Sequence, residues 1–208
     1  WDSQSEAEYF KNIFSMPGLN GLEVPYWGNA FCRHDESIFL SQMPSSLNNV
    51  VTAIPGIISG VSEDPAFGLA SESGAGRKSA IEMMERVRKK IKDTRRVYPN
   101  FQCDTVVFCS APIAEKGSAS RKRFKESLKE ISNWEWHGCR LVVEHCDEYR
   151  EDHSHQKGGI SLREEIATLA DLHQENDIKA KLGITINWGR SALEGRSANT
   201  PVVLIAMA

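Results

Sequence analysis

Three ionisable side chains follow a short apolar run near the middle of the chain. Residues 141–143 read Leu-Val-Val, and Glu144, His145 and Asp147 come next. A β-branched apolar run of this kind predicts a strand that is buried on both faces. A carboxylate fixed at the end of such a strand can act as a base or bind a divalent cation. We therefore select Glu144 as the candidate catalytic residue and metal ligand, and His145 as a candidate substrate-binding residue. The alternative is that Glu144 and Asp147 are solvated loop residues.

A second predicted strand ends in polar residues in the same way. Residues 183–187 read Gly-Ile-Thr-Ile-Asn, and Trp188 follows Asn187 at the start of a turn. The carboxyl ends of parallel strands lie at one edge of a sheet, so we expect Asn187 and Trp188 to line the same pocket as Glu144. Asn187 is a candidate substrate-binding residue because its amide can hydrogen-bond hydroxyl groups, and Trp188 is a further candidate substrate-binding residue.

Two arginines lie in the glycine-containing turn predicted for residues 188–197. Arg190 and Arg196 carry planar guanidinium groups, which suit bidentate binding of a carboxylate or phosphate. They are therefore candidate binding residues for an anionic group on the substrate. The alternative is that they pair with Glu194 and only stiffen the turn.

Glu23 is an acidic residue in a short strand-like segment. Residues 21–25 read Gly-Leu-Glu-Val-Pro, so its carboxylate has apolar neighbours and must be paired or face a cavity. We expect Glu23 to bind substrate hydroxyl groups and to converge with Glu144 and Asn187 on one cavity.

A polar loop predicted at residues 149–159 contains a His-x-His pattern. Asp152, His153 and His155 could ligate a metal ion, but this spacing is also common among solvated histidines. If a divalent metal binds, we expect it on Glu144 and not on these histidines.

The composition is that of a single folded domain over residues 1–208. The chain is 40% hydrophobic and 25% charged, which is ordinary for a globular protein. Its formal charge of -3 argues against nucleic acid as a partner, and no apolar run approaches the roughly 20 residues of a membrane helix. The five cysteines form no CxxC pair, which favours a reduced, cytoplasmic protein.

Predicted strands alternate with predicted helices along the chain. This alternation is typical of an α/β fold with parallel strands and right-handed crossovers. The helix after residue 76 has the clearest apolar face, and the Gly- and Ser-rich residues 56–76 before it predict a long loop. The predicted strands are 21–25, 50–55, 105–109, 141–143 and 183–187.

The sequence does not match two common nucleotide-binding motifs. Residues 73–79 read Ser-Gly-Ala-Gly-Arg-Lys-Ser, in which an arginine separates the glycine from the lysine that a phosphate-binding loop requires. No G-x-G-x-x-G pattern follows a predicted strand, which disfavours a dinucleotide-binding sheet.

Three segments resemble the xylose isomerase-like TIM barrels: residues 21–25, 141–145 and 184–190. That superfamily includes sugar isomerases, epimerases, inosose dehydratase and endonuclease IV. Within that superfamily, the chain is similar to an uncharacterised bacterial branch whose strand-six loop reads Asn-Trp-Gly-Arg-Ser. The resemblance implies a TIM (β/α)8-type barrel with its pocket at the carboxyl-terminal rim. Strands two to six are recognisable, and a full barrel takes about 250 residues, so we expect a partial barrel.

The resemblance also implies a site. Metal-dependent members use acidic and histidine ligands from strands five to eight, with paired glutamates that move a proton. Glu144 matches the strand-five glutamate, and a divalent ion (Mn, Mg or Zn) is the implied cofactor. Asn187 stands where an acidic ligand is expected, and Trp188 and Arg190 fall where a histidine is expected.

The function implied is that of a sugar or polyol isomerase- or epimerase-like enzyme. Its partner would be a small, hydroxylated, carbohydrate-like substrate that could carry an anionic group, and the sequence is compatible with a homo-oligomer. The alternative is a non-catalytic or degenerate barrel that binds a small carbohydrate or sugar acid without converting it.

Overall fold

The computed structural model describes residues 2–32, 35–152, 154–175 and 177–208. Within them lies a five-stranded sheet in which every neighbouring pair of strands is parallel and the strands keep their sequence order. The predicted α/β class with parallel strands is confirmed. The strands are β1 (Glu23–Pro25), β2 (Asn48–Thr52), β3 (Gln102–Phe108), β4 (Arg140–His145) and β5 (Leu182–Ile186).

Helices connect the strands, and two of them lie between β2 and β3. None of the described helices is long and apolar enough to cross a membrane. The helices are α1 (Ser3–Phe14), α2 (Glu36–Gln42), α3 (Ile54–Glu63), α4 (Gly74–Val97), α5 (Arg121–Ser132), α6 (Leu162–Glu175), α7 (Trp188–Glu194) and α8 (Thr200–Met207), with a short 3-10 helix at Glu115–Gly117.

The two faces of the sheet differ in burial. Along β4, Leu141, Val143 and His145 are buried, whereas Val142 and Glu144 are half-buried. Successive side chains of a strand point to opposite faces, so Glu144 and His145 leave β4 in opposite directions. The buried face joins the hydrophobic core, to which α4 and α5 contribute their apolar faces.

The loop predicted at residues 56–76 is wrong over its first part, because α3 occupies it. Pro55 lies in the first turn of α3, where its fixed φ favours a helix start and its missing N–H costs nothing. Gly60 is a packing residue, since a Cβ there would come within 2.7 Å of the Phe67 ring. The glycines that suggested a loop thus allow close packing. The predicted strand at 50–55 likewise ends at Thr52.

One buried amide joins the first three strands at their amino ends. Asn49 is 0% exposed; its Nδ2 donates to the Gln102 carbonyl at 2.7 Å, and its Oδ1 accepts from the Leu22 N–H at 3.0 Å. Removing the side chain would leave both backbone groups without these partners.

We expect Asn49→Ala to lower the free energy of unfolding by about 1–3 kcal/mol, the cost of leaving buried polar groups unpaired. Asn48→Ala is the matched control, because Asn48 is exposed and its Nδ2 bonds only the Asp104 carboxylate at 2.7 Å. Denaturant unfolding measures both. Equal losses from the two variants would contradict this account of Asn49.

Candidate active site

A pocket of about 110 Å³ lies at the carboxyl ends of β3 and β4. One wall is apolar and comes from α3, through Ile57, Ile58 and Val61. The lining also includes Glu144 and Lys157, which are opposite in charge. A mixed pocket at this edge of a parallel sheet is suited to binding a small polar molecule.

The Glu144 carboxylate is held by one of its two oxygens. Its Oε1 accepts from Asn187 Nδ2 at 2.7 Å and from the Cys146 thiol at 3.5 Å. Oε2 has no hydrogen-bond partner among the described residues. The carboxylate is therefore oriented, and one oxygen is left for a ligand.

The Asn187 side chain also caps the amino terminus of α7. Its Oδ1 accepts from the Arg190 backbone N–H at 3.1 Å, which caps the helix, while its Nδ2 reaches Glu144. The turn predicted for residues 188–197 is thus wrong over Trp188–Glu194, where the chain is helical. Asparagine is a favoured N-cap residue, and this preference is the sequence signal that could have predicted the start of α7.

His145 leaves β4 on the opposite face from Glu144 and is 1% exposed, yet at the end of the strand it also contributes to the lining of the pocket. Its Nδ1 is 2.8 Å from Glu165 Oε2 and its Nε2 is 3.0 Å from Glu194 Oε2. Burial lowers the pKa of His145, but the hydrogen bonds to Glu165 and Glu194 outweigh it and raise the pKa to about 10. The ring is therefore an imidazolium at neutral pH. No ring nitrogen remains for the substrate contact expected from the sequence.

The two carboxylates extend this contact into a network. Glu165 Oε1 accepts from the Ser110 hydroxyl at 2.6 Å, and Glu194 Oε2 accepts from the Glu148 N–H at 3.1 Å. Burial raises the pKa of Glu165. The network joins the ends of β3 and β4 to α6 and α7. Sequence reasoning missed Glu165 as a partner of His145, because nothing local in α6 marks it.

Asp147 shapes the loop that closes the pocket. Its buried carboxylate accepts from the backbone N–H groups of Gln156 at 2.6 Å, Lys157 at 3.0 Å and Gly158 at 3.3 Å. Asp147 is therefore not a solvated residue, and that alternative is wrong for it. The anchored loop brings Lys157 to the pocket, where its ammonium group forms no ion pair with a carboxylate of the described chain.

Two free thiols also line the pocket, those of Cys109 and Cys146. The hydrogen bond between them lowers the pKa of Cys109, as does the charge of Lys157, while burial opposes both. The same thiol contact and burial raise the pKa of Cys146.

Glu23 does not belong to this site. It is the first residue of β1 and lies opposite Val50, which is level with Thr105 and Arg140 at the amino end of the sheet. The expected convergence of Glu23 with Glu144 on one cavity is therefore wrong. The segment was correctly predicted as a strand, but β1 is only three residues long and begins at Glu23.

The structure separates the remaining candidates. The Arg190 guanidinium donates to the Gln156 side chain, which lines the pocket. Trp188 is 54% exposed, and Arg196 is exposed beyond the end of α7 with a φ of 49°. Neither arginine forms an ion pair with Glu194 in the described part of the chain, so the alternative of an arginine–Glu194 lattice is wrong.

A metal site is not assembled by these residues. In the ranges that the structure describes, no group of three or more His, Cys, Asp or Glu side chains is placed to hold a metal ion. His153 lies outside the described residues, and the His155 ring packs against Tyr149 with centroids 4.9 Å apart. Metal binding at Glu144 stays a prediction.

Fold and site together define an α/β protein with a mixed polar and apolar pocket at the carboxyl edge of a parallel sheet. The chain belongs to the family described as Domain of unknown function (DUF4862), whose model matches residues 1–208. It is also similar to the uncharacterized protein STM3670 of Salmonella typhimurium (strain LT2), with 31% identity over 204 residues. That alignment covers 96% of this chain and 61% of the relative, so the chain spans about three fifths of the relative's length.

The buried imidazolium predicts an alkaline loss of stability. The folded pKa of His145 is raised from 6.5 to about 10, so its contribution is complete below pH 6.5 and is lost as pH rises toward 10. We expect the free energy of unfolding to fall by about 3–5 kcal/mol over that range. Denaturant unfolding at several pH values measures it. His145→Gln should flatten this dependence and His155→Gln should not; the same slope in His145→Gln would assign the loss to other groups.

Proposed function

We propose that this chain forms part of a sugar or polyol isomerase- or epimerase-like enzyme that acts on a small hydroxylated substrate with an anionic group. The observation that carries the proposal is the Glu144 carboxylate, which is held by Asn187 through one oxygen and presents the other at the pocket. A carboxylate in that state can accept a proton from a bound substrate.

We further propose a TIM (β/α)8-type barrel of the xylose isomerase-like kind. The sequential order of five parallel strands supports it, because an open doubly wound sheet reverses its strand order at a switch point. In a barrel, the half-buried face of β4 would point to the interior, and Glu144 would stand at the carboxyl-terminal rim. The chain spans 61% of its relative's length, so the activity is proposed for the protein of which it forms the matched part.

The proposed chemistry is proton transfer between neighbouring carbons. Oε2 of Glu144 would take the proton from the hydroxyl-bearing carbon beside a carbonyl group, which leaves an enediolate, and would return it to the former carbonyl carbon. The hydroxyl proton would move to the former carbonyl oxygen, so that a carbonyl forms where the hydroxyl stood. Other carboxylates at the pocket are engaged: Asp147 by backbone N–H groups, and Glu165 by Ser110 and His145. Among the described pocket residues, one carboxylate therefore has a free oxygen. A single base favours isomerisation over an epimerisation that needs a base on each face of the substrate.

Lys157 and Arg190 would select an anionic substrate. The Lys157 ammonium lines the pocket, and Arg190 reaches its rim beside Gln156. A carboxylate or phosphate placed between them would gain charge-assisted hydrogen bonds. The carbon skeleton would lie toward the apolar wall of α3.

The divalent ion implied by the resemblance fits these residues poorly. Glu144 is the one ligand candidate with a free oxygen among the described pocket carboxylates, and Asn187 turns its nitrogen, not its oxygen, toward Glu144. Such an ion would supply Lewis-acid polarisation of the substrate carbonyl. Elemental analysis of purified protein would test whether the ion is present.

The second candidate function is a barrel that binds a small carbohydrate or sugar acid without converting it. The residue at position 187 favours this alternative, since asparagine stands where the metal-dependent members of the resembled family carry an acidic ligand. Binding would then use the same Lys157 and Arg190 groups.

We expect Glu144→Gln to reduce turnover by about 10²–10⁴-fold while retaining substrate binding, because the amide cannot accept the proton. The measurement is solvent-deuterium incorporation at carbon, followed by NMR across sugars, sugar acids and sugar phosphates. Glu151→Gln, an exposed carboxylate outside the pocket, is the control. Tight binding without any exchange in the unmodified protein would favour the binding function.

Arg190→Lys should weaken anion affinity by about 1–3 kcal/mol, since the charge remains but the bidentate fork is lost. Arg196→Lys is the matched control in the same segment, and its exposed position predicts no change. Calorimetric titration with a sugar acid and with a sugar phosphate gives the affinities. A lower melting temperature with unchanged affinity in Arg190→Lys would make Arg190 structural.

A further inference from the structure

A second pair of thiols lies at the opposite end of the sheet from the pocket. Cys103 is in β3, and Cys139 directly precedes β4. Their sulfurs are 3.9 Å apart, and the residues are 3% and 5% exposed. Both thiols are free, and neither takes part in the proposed proton transfer.

A β-bulge is what brings the two thiols together. The register between β2 and β3 shifts at this point and leaves Asp104 as an extra residue. Thr105 lies opposite Arg140, so in a regular strand Cys103 would share the face of Thr105 and point away from Cys139. The bulge turns Cys103 to the face of Cys139, which illustrates how bulges re-aim side chains.

A guanidinium group completes the arrangement. Arg95, in the last turn of α4, donates to the carbonyls of His137 and Cys103, and its Nη2 lies 3.6 Å from Cys139 Sγ. The hydrogen-bonding contact with the Cys103 thiol and the charge of Arg95 lower the pKa of Cys139 to about 7, against the effect of burial. A thiolate beside a cation and a second thiol is the reactive form of a cysteine pair.

We propose that Cys103 and Cys139 form a redox-active dithiol that a peroxide converts reversibly into a disulfide across the amino ends of β3 and β4. The Cys139 thiolate attacks hydrogen peroxide; an S–O bond forms, the O–O bond breaks and hydroxide leaves, to be protonated to water. The Cys103 thiol then loses its proton and attacks the Cys139 sulfur, which forms the S–S bond and expels the second water. Two thiols are oxidised by two electrons, and one peroxide is reduced.

The geometry permits this bond with little backbone movement. The two residues lie at the amino ends of neighbouring strands, just before the register that pairs Thr105 with Arg140, and their sulfurs at 3.9 Å must approach to about 2.05 Å for the bond to form. The bond would tie β3 to β4 across the segment that contains α5. It would stabilise the amino end of the sheet and leave the pocket at the carboxyl end open, so this inference does not depend on the proposed enzyme function.

The same two strands supply a matched control pair. Cys109 and Cys146 are also neighbouring buried thiols, but they lie at the pocket, where the charge of Lys157 lowers the pKa of Cys109. No arginine donates to either sulfur in the described part of the chain. The two pairs therefore share proximity and a nearby positive charge, and they differ in the guanidinium group that contacts Cys139. The proposal requires the pair beside Arg95 to react first.

The test is peroxide treatment of the purified full-length protein, followed by thiol alkylation and non-reducing peptide mass spectrometry. We expect a Cys103–Cys139 linked peptide that dithiothreitol reverses, and a melting temperature raised by about 5–15 °C in the oxidised form. Cys103→Ser and Cys139→Ser should each abolish the link and the shift. The double variant Cys109→Ser and Cys146→Ser should retain both.

Arg95→Gln separates the role of the guanidinium from that of proximity. We expect it to slow formation of the link about three- to tenfold at pH 7, with the difference narrowing as pH rises, because the thiolate fraction of the variant increases while that of the unmodified protein is already high. A Cys109–Cys146 link that forms as fast or faster would overturn the proposal. So would peroxide treatment that leaves Cys103 and Cys139 as free thiols or converts them to sulfinic acids without a link.

Discussion

The constraint on which the site depends is the burial of a charged imidazole. His145 is protonated and 1% exposed, and a buried charge without partners would be very costly. Glu165 of α6 and Glu194 of α7 must therefore both reach it. Because Asn187 caps α7, the same requirement fixes the position of the amide that orients Glu144. The arrangement of α6 and α7 around β4 follows from this one charge.

Two neighbouring residues of β4, Glu144 and His145, have different roles because they lie on opposite faces of the strand. His145 points to the helix-covered face and uses both ring nitrogens to hold the fold together. Glu144 points to the other face and keeps one oxygen free for a ligand. Alternation along a strand makes this division possible, because one rigid backbone serves both sides. The network thus positions Glu144 without competing for it.

The two ends of the sheet have different chemistry. At the carboxyl end, Asp147 anchors the loop that brings Lys157 to Glu144. At the amino end, the Cys103 and Cys139 thiols lie beside the bulge at Asp104 and the Arg95 guanidinium, away from the pocket. A cross-link there would join β3 and β4 without touching the pocket, so stability and chemistry could be controlled separately.

The sequence by itself determined the five strands and the α/β class, because short apolar runs mark strands locally. It did not determine α3 and α7, which lie in segments whose glycines predicted a loop and a turn. Both kinds of signal are local, since propensity acts over a few residues. The tertiary structure alone decided which polar groups meet. It placed Glu23 toward the amino end of the sheet, away from Glu144. It also gave His145 two partners that lie 20 and 49 residues further along the chain. Such contacts depend on strand length, strand register and charge pairing between distant residues, and a local stretch of sequence does not determine these features.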